Sequence, residues 1–291
     1  MSTGAEVASA RTLISIALWE DLRDLGDRTS LSTIPADKRA TARFVARGDG
    51  VVAGLFVAHD VAMAVNPLLH FEPELTDGAS VARGTVLATI SGPLRSILAA
   101  ERIALNFLQR LSGIATLTRQ YIDAVAGLPV KILDTRKTTP GWRLLEKYAV
   151  RMGGGTNHRI GLYDAILIKD NHIAGIAGPN PVRRSVELAR AYPGNEGLEV
   201  EVEVDSLAQL LEVLPAKPEI VLLDNMTPEQ LRECVTLRNQ IAPTTLLEAS
   251  GGITLATLRT TAETGVDRIS IGAITHSAPA FDIGLDYGDA D

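Results

Sequence analysis

From Val130 to Ile271 the chain repeats one pattern six times: a short apolar run, a cluster of polar residues, then a segment with helical spacing. The runs are Val130 to Leu133, Ala165 to Ile168, Leu198 to Val204, Ile220 to Leu223, Thr245 to Ala249 and Arg268 to Ile271. Helical spacing follows in Trp142 to Arg151, Val182 to Tyr192, Leu207 to Leu214, Pro228 to Asn239 and Leu255 to Thr264. Short apolar runs that stop at turn residues read as buried parallel strands. Repeated β/α units then demand right-handed crossovers. Six strands are too few for a full eight-strand barrel, so a shortened barrel or an open α/β sheet is expected.

The region before this repeat has a different texture. Val7 to Leu25 has helical spacing and is closed by Gly26. Thr41 to Arg47 and Val51 to Phe56 flank Gly48-Asp49-Gly50, a hairpin signal. His59 to Val65 reads as a short helix, and Gly78 to Gly92 as a further pair of strands with turn glycines. Pro93 opens a long helix whose apolar stripe runs through Ile97, Leu98, Ala104, Leu105, Leu108 and Leu111. Arg95, Arg102, Asn106 and Gln109 share its polar face, either as a solvated surface or with Arg102 turned into a site. The first ninety or so residues therefore read as an α+β domain.

Composition excludes several roles. A net charge of −7 argues against a nucleic-acid or membrane-surface binder and makes local clusters of cations more telling. Five of them, Arg136, Lys137, His158, Arg159 and Lys169, fall near strand ends, where barrel enzymes keep their chemistry; they are expected to crowd one rim. The single cysteine, Cys234, leaves no intramolecular disulfide and points to a reducing compartment. It sits in a helical pattern, as a buried structural thiol would. Leu13 to Leu18 is too short for a signal-peptide core, so a cytoplasmic protein is expected.

Leu198 to Asp205 alternates strictly, so Glu199, Glu201 and Glu203 share one face and the valines the other. If the valines pack on helices, the glutamates point into the barrel and need a cation; the alternative is an edge strand with outward glutamates. Asp224 ends the next strand, and Glu203 with Asp224 makes an oxygen-only pair suited to Mg²⁺. Ser250-Gly251-Gly252 and Gly272-Ala273 end the last two strands, where glycines let backbone N–H groups reach a phosphate, unless they are ordinary turns. No Ser/His/Asp or Cys/His arrangement and no zinc spacing is evident. The combination reads as a site for a phosphorylated, polyanionic substrate and a second anion, with catalysis by positioning and electrostatics.

Six motifs, in order and with none missing, carry a resemblance. They are Glu101-Arg102-Ile103-Ala104-Leu105-Asn106, Leu133-Asp134-Thr135-Arg136-Lys137-Thr138-Thr139-Pro140-Gly141, Gly153-Gly154-Gly155-Thr156-Asn157-His158-Arg159, Ile168-Lys169-Asp170-Asn171-His172, Glu201-Val202-Glu203-Val204-Asp205 and Ser250-Gly251-Gly252. Through them the chain resembles the quinolinate phosphoribosyltransferases, a type II phosphoribosyltransferase family. The resemblance implies transfer of phosphoribosyl from phosphoribosyl pyrophosphate to quinolinate, with loss of pyrophosphate and CO₂, in NAD synthesis. Related transferases that act on nicotinate, or that accompany molybdate transport, are the alternative. It implies an α/β fold: a hammerhead-like α+β sandwich over residues 1–112, an incomplete, about six-stranded β/α barrel over 113–274, and a tail over 275–291 that returns to the first domain. It further implies a homodimer in which Arg102 enters the neighbouring subunit's site. Arg102, Arg136, His158, Arg159 and Lys169 would hold quinolinate. Lys137, Lys169, Glu203 and Asp224 would serve the phosphoribosyl pyrophosphate and Mg²⁺. Ser250, Gly251, Gly252, Gly272 and Ala273 would hold the 5-phosphate. Asp170, Asn171 and His172 would support Lys169, with no direct role assigned to His172.

Overall fold

The computed structural model describes residues 2–288. In chain order the elements are α1 (Gly4–Leu22), α2 (Arg28–Thr33), β1 (Arg39–Ala46), β2 (Gly50–Val51), α3 (Leu55–Val65), β3 (His70–Pro73), β4 (Ser80–Val81), β5 (Val86–Pro93), α4 (Leu94–Ala124), β6 (Lys131–Leu133), α5 (Arg143–Met152), β7 (Ile166–Ile168), α6 (Asp170–Ala174), α7 (Pro181–Ala191), β8 (Val200–Val204), α8 (Leu207–Val213), β9 (Ile220–Asp224), α9 (Pro228–Ile241), β10 (Leu246–Ser250), α10 (Leu255–Ala262), β11 (Arg268–Ser270), α11 (Ala273–His276) and β12 (Ile283–Tyr287). Two compact units result: residues 1–119, 137–154 and 274–291 form one, and 120–136 with 155–273 the other. Among the described residues no helix is long and apolar enough to cross a membrane.

The first unit is built on an antiparallel sheet in the order β12-β1-β5-β3. Its leading helix starts where the sequence supplies a capping box. Thr3 accepts from the Glu6 N–H at 3.3 Å, and Glu6 accepts the Thr3 N–H at 2.8 Å. Glu6 is buried, and Arg151 from α5 supplies its counter-charge at 2.8 Å. The expected hairpin around Gly48-Asp49-Gly50 does not form. β1 pairs with β5 and β12, while β2 pairs with β4. The reason lies far along the chain: a Cβ on Gly50 would meet Phe281 and Thr116 at 2.6 Å, so this glycine permits a close approach rather than a turn. Asp49 instead accepts the Arg83 N–H at 2.9 Å. Gly78 to Gly92 likewise holds β4 and β5, but these do not pair with each other; β5 lies between β1 and β3.

In the second unit the six apolar runs form one parallel sheet, ordered β6-β11-β10-β9-β8-β7. The segment at Thr156 bridges to Leu133 beside β6. The chirality rule fixes the helices outside, and the alternation in β8 shows which face they cover. Val200, Val202 and Val204 are at most 2% exposed, as are Leu210, Val213, Leu231, Cys234 and Leu258 from α8, α9 and α10. Each such side chain contributes roughly 1.5–3 kcal/mol on burial. The opposite face of β8 carries Glu201, 3% exposed, so the glutamates do point inward. Glu199 precedes the strand and is exposed, yet it lines the same interior chamber as Glu201. The helix α9 begins as its sequence dictates, with Thr227 and Gln230 exchanging hydrogen bonds of 3.3 and 2.9 Å and Pro228 in the first turn.

Candidate active site

Parallel register sets which side chains share a level. Ser250 stands beside Asp224, and Glu248 beside Leu222, which stands beside Glu203. At the carboxyl ends of the strands, Lys169 follows β7 directly and its Nζ lies 2.5 Å from Glu203 Oε2. Glu203, Asp224, Asp170 and Gln209 line one cavity of about 250 Å³. All the carboxylates there offer oxygen, the donor a hard divalent cation prefers. His172 caps the short helix α6: its Nδ1 accepts the Lys169 N–H at 2.9 Å. The bond ties His172 to the backbone of the lysine, the residue it was expected to support.

Gly251 and Gly252 follow β10 with φ of +96° and +59°. A Cβ on Gly251 would sit 2.2 Å from Asn225 Oδ1 and 2.9 Å from the Asn225 backbone nitrogen. Only glycine allows this approach. Asn225 is fixed on its other sides, donating its N–H to Ser250 O at 3.0 Å and its amide to Asp224 Oδ2 at 2.7 Å. The glycine turn after β10 and the carboxylate cavity are thus joined through one asparagine. A cavity of about 330 Å³ lies against Ser250, Gly251 and Gly252. Gly272 and Ala273 follow β11.

A third chamber, of about 510 Å³, lies lower in the sheet's interior, lined by first residues of strands such as Lys131, Ile166, Ile220 and Arg268 together with His158, Arg159 and Glu201. The five cations expected on one rim are therefore distributed. Lys169 is on the rim, while His158 and Arg159 line this chamber. Burial first and the Arg136 charge second lower the pKa of Arg159, against the opposing pull of Glu201 and Asp164. Lys137 and Arg102 belong to the first unit, and both are exposed, Arg102 on α4.

The segment carrying His158 is tied down by Asp134, which is fully buried after β6. Asp134 accepts the His158 N–H at 2.8 Å and the Asn157 amide at 2.6 Å. The His158 ring reaches two carboxylates, with Nε2 3.0 Å from Glu201 Oε2 and 3.5 Å from Glu248 Oε1. Burial opposes a charge on this ring, but the Glu201 hydrogen bond and the two carboxylates outweigh it and raise its pKa. Arg268 donates from Nε to Glu248 Oε2 at 2.8 Å. Burial first, and the Glu201 charge second, push the Glu248 carboxyl above its ordinary range. Sequence reasoning singled out Glu201 only as one of three inward glutamates and gave Glu248 and Arg268 no role. Their signal was the register: Glu248 and Arg268 begin on the same level of neighbouring strands.

The chain matches two family models, described as quinolinate phosphoribosyl transferase, N-terminal domain, over residues 27–112, and C-terminal domain, over residues 114–286. It is 45% identical over 288 residues to the nicotinate-nucleotide pyrophosphorylase (carboxylating) of Mycobacterium leprae, covering 98% of this chain and 100% of that one. It is 42% identical to quinolinate phosphoribosyltransferase (decarboxylating) 1b of Nicotiana tabacum, covering 94% of this chain and 81% of the relative. Among solved structures, the nicotinate-nucleotide pyrophosphorylase from Francisella tularensis superposes with a TM-score of 0.88 at 37% identity, covering 97% and 96% of the two chains.

Proposed function

The chain belongs to the quinolinate phosphoribosyl transferase family, and on that premise we propose that it joins the phosphoribosyl group of phosphoribosyl pyrophosphate to the ring nitrogen of quinolinate, releasing pyrophosphate and CO₂ and leaving nicotinate mononucleotide. The observation that carries the quinolinate end is the Arg136 and Arg159 pair. Two guanidiniums brought together under partial burial repel each other, and a dicarboxylate relieves both at once. A site that takes both carboxylates is expected to discriminate against nicotinate, which has one fewer.

The remaining assignments follow the geometry of the second unit. Lys169 keeps Glu203 turned into the cavity it shares with Asp224. That oxygen-only set fits Mg²⁺, and the ion bound there would neutralise charge on the departing pyrophosphate. The backbone around Ser250, Gly251 and Gly252, with Gly272 and Ala273, is assigned to the 5-phosphate; the two positive φ values after β10 fit a turn whose backbone a phosphate can approach. Lys137 serves the pyrophosphate. Arg102, exposed on α4, completes the quinolinate site of a second copy of the chain.

The chemistry asks little covalent work of the protein. As pyrophosphate leaves, the anomeric carbon gains oxocarbenium character and the pyridine nitrogen attacks it. The resulting pyridinium draws electrons from the adjacent carboxylate, which departs as CO₂ and leaves its electron pair on the ring carbon as an ylide stabilised by the neighbouring N⁺; a proton from water then takes up that pair and gives the C–H of the product. Positioning by Arg136 and Arg159 and charge neutralisation near Lys169 therefore supply most of the rate.

The test is an assay with Mg²⁺, phosphoribosyl pyrophosphate and either quinolinate or nicotinate, following CO₂ and mononucleotide. Turnover with quinolinate alone is expected; turnover with nicotinate instead would reject the two-carboxylate pocket. For the shared site, mixing Arg102→Ala protein with Lys169→Ala protein should restore part of the activity that each lacks alone. No recovery in mixed dimers would remove Arg102 from the partner's site.

A further inference from the structure

We propose that Glu201 and Glu248 are positioning residues for the quinolinate end of the site: they orient the His158 ring by accepting its Nε2–H, the Arg159 N–H at Nδ1 keeps that ring neutral against the pull of the two carboxylates towards a second proton, and His158 in turn fixes the main chain that aims Arg159. The proposal rests on the reading that Arg136 and Arg159 take the quinolinate carboxylates.

The argument starts from one backbone hydrogen. The Arg159 N–H donates to His158 Nδ1 at 2.8 Å, so Nδ1 presents a lone pair and carries no proton. The ring proton then belongs to Nε2, which faces Glu201 Oε2 at 3.0 Å and Glu248 Oε1 at 3.5 Å. A second ring proton on Nδ1 would set two donors against each other at the same 2.8 Å. A divalent cation among these three groups would need a bare Nε2, which the Nδ1 bond denies.

The two carboxylates are themselves rigid. Glu248 projects from β10, its side chain has no exposure, and Arg268 from β11 holds its Oε2 at 2.8 Å. Glu201 projects from β8 with 4% of its side chain exposed. Two strands thus converge on one imidazole, a third braces one of their carboxylates, and Asp134 holds the same residue's N–H at 2.8 Å. With both ring and main chain clamped, the next residue inherits a fixed position. A ring that spends its Nε2–H on a buried glutamate has none to give a substrate carboxylate, so that contact falls to Arg159 and Arg136. Groups that hold a ligand-binding residue in this way act on affinity without touching the ligand.

The test reads the ring and the kinetics separately. With ¹⁵N-labelled imidazoles, the His158 signals are identified among five histidines by their loss in His158→Gln. At pH 7 they are expected to report a bare Nδ1 and a protonated Nε2, with and without saturating quinolinate. A doubly protonated ring, a proton on Nδ1, or a proton that shifts when quinolinate binds would overturn the proposal. Glu201→Leu removes the acceptor and is expected to raise the quinolinate KM by about tenfold or more, with the phosphoribosyl pyrophosphate KM within about twofold. Glu201→Gln, whose amide oxygen still accepts from Nε2, should recover most of that loss. An unchanged quinolinate KM in Glu201→Leu would sink the idea. Arg159→Ala separates the two layers. If it too leaves the quinolinate KM unchanged, the reading of the quinolinate end fails; if it alone raises KM, that reading stands and only the positioning role is lost. Should Glu201→Leu show no thermal transition, the glutamine variant and the wild-type resonances still decide.

Discussion

Gly251→Ala tests the joint between the phosphate turn and the carboxylate cavity. At φ +96° an alanine is in a region L residues avoid, and its Cβ would overlap the Asn225 side chain at 2.2 Å and the Asn225 backbone nitrogen at 2.9 Å. The side-chain overlap is relieved by rotating Asn225, but the backbone overlap is not, so the turn itself must shift. Backbone strain and displacement together cost about 2–4 kcal/mol. For a protein of this size that lowers Tm by about 3–7 °C. The functional effect follows from what Asn225 holds. Its amide donates to Asp224 Oδ2 at 2.7 Å and its N–H to Ser250 O at 3.0 Å, so moving it turns the Asp224 carboxylate and opens the phosphate turn together. The KM for phosphoribosyl pyrophosphate should rise about tenfold or more, while quinolinate binding, measured by calorimetry on the same protein, stays within about twofold. Scanning fluorimetry gives the stability and steady-state kinetics the KM. A variant with wild-type Tm and wild-type KM for phosphoribosyl pyrophosphate would refute both the steric argument and the coupling through Asn225.

Three further outcomes are expected. Arg159→Ala should raise the quinolinate KM by about tenfold to a hundredfold, as loss of charged hydrogen bonds implies, and leave the phosphoribosyl pyrophosphate KM nearly unchanged; equal weakening of both would contradict the assignment. The raised pKa of Glu248 gives stability that is fully present below the ordinary carboxylate pKa of about 4.3 and lost as pH rises through the higher folded value. Tm of the wild type should therefore fall over that rise more steeply than Tm of Glu248→Gln, and parallel curves would show that burial of this carboxyl is not felt. Cys234 is fully buried on α9 and its thiol is pushed up to about 11, burial being the main cause, so iodoacetamide at pH 8 should alkylate it only as fast as the protein unfolds; rapid labelling of folded protein, seen by mass spectrometry, would contradict that.

What the sequence made legible, and what it did not, divides along a physical line. The six barrel strands were readable because each is a short run rich in Val, Leu and Ile that stops at polar residues, a local signal that does not depend on partners. The Glu203 and Asp224 cavity was readable because adjacent parallel strands put their ends together. The hairpin at Gly48 to Gly50 misled because glycine serves two purposes: Gly50 makes room for Phe281 and Thr116, residues far away in the chain, and no local rule distinguishes that from a turn. The same limit hid the buried network. Glu248 lies within an otherwise apolar run and Arg268 opens another, so each reads alone as a polar residue at the margin of a strand. Only the register that sets Glu248 level with Arg268 shows them to be a pair, and only the loop from Thr156 to Arg159, threaded past Leu133, brings His158 to them. A buried carboxylate without a cation is too costly to persist, so the inward alternation of Glu201 in β8 already required a partner from elsewhere in the sheet. Pattern can state that a partner must exist; its identity depends on strand order, which a single sequence does not encode in any local stretch.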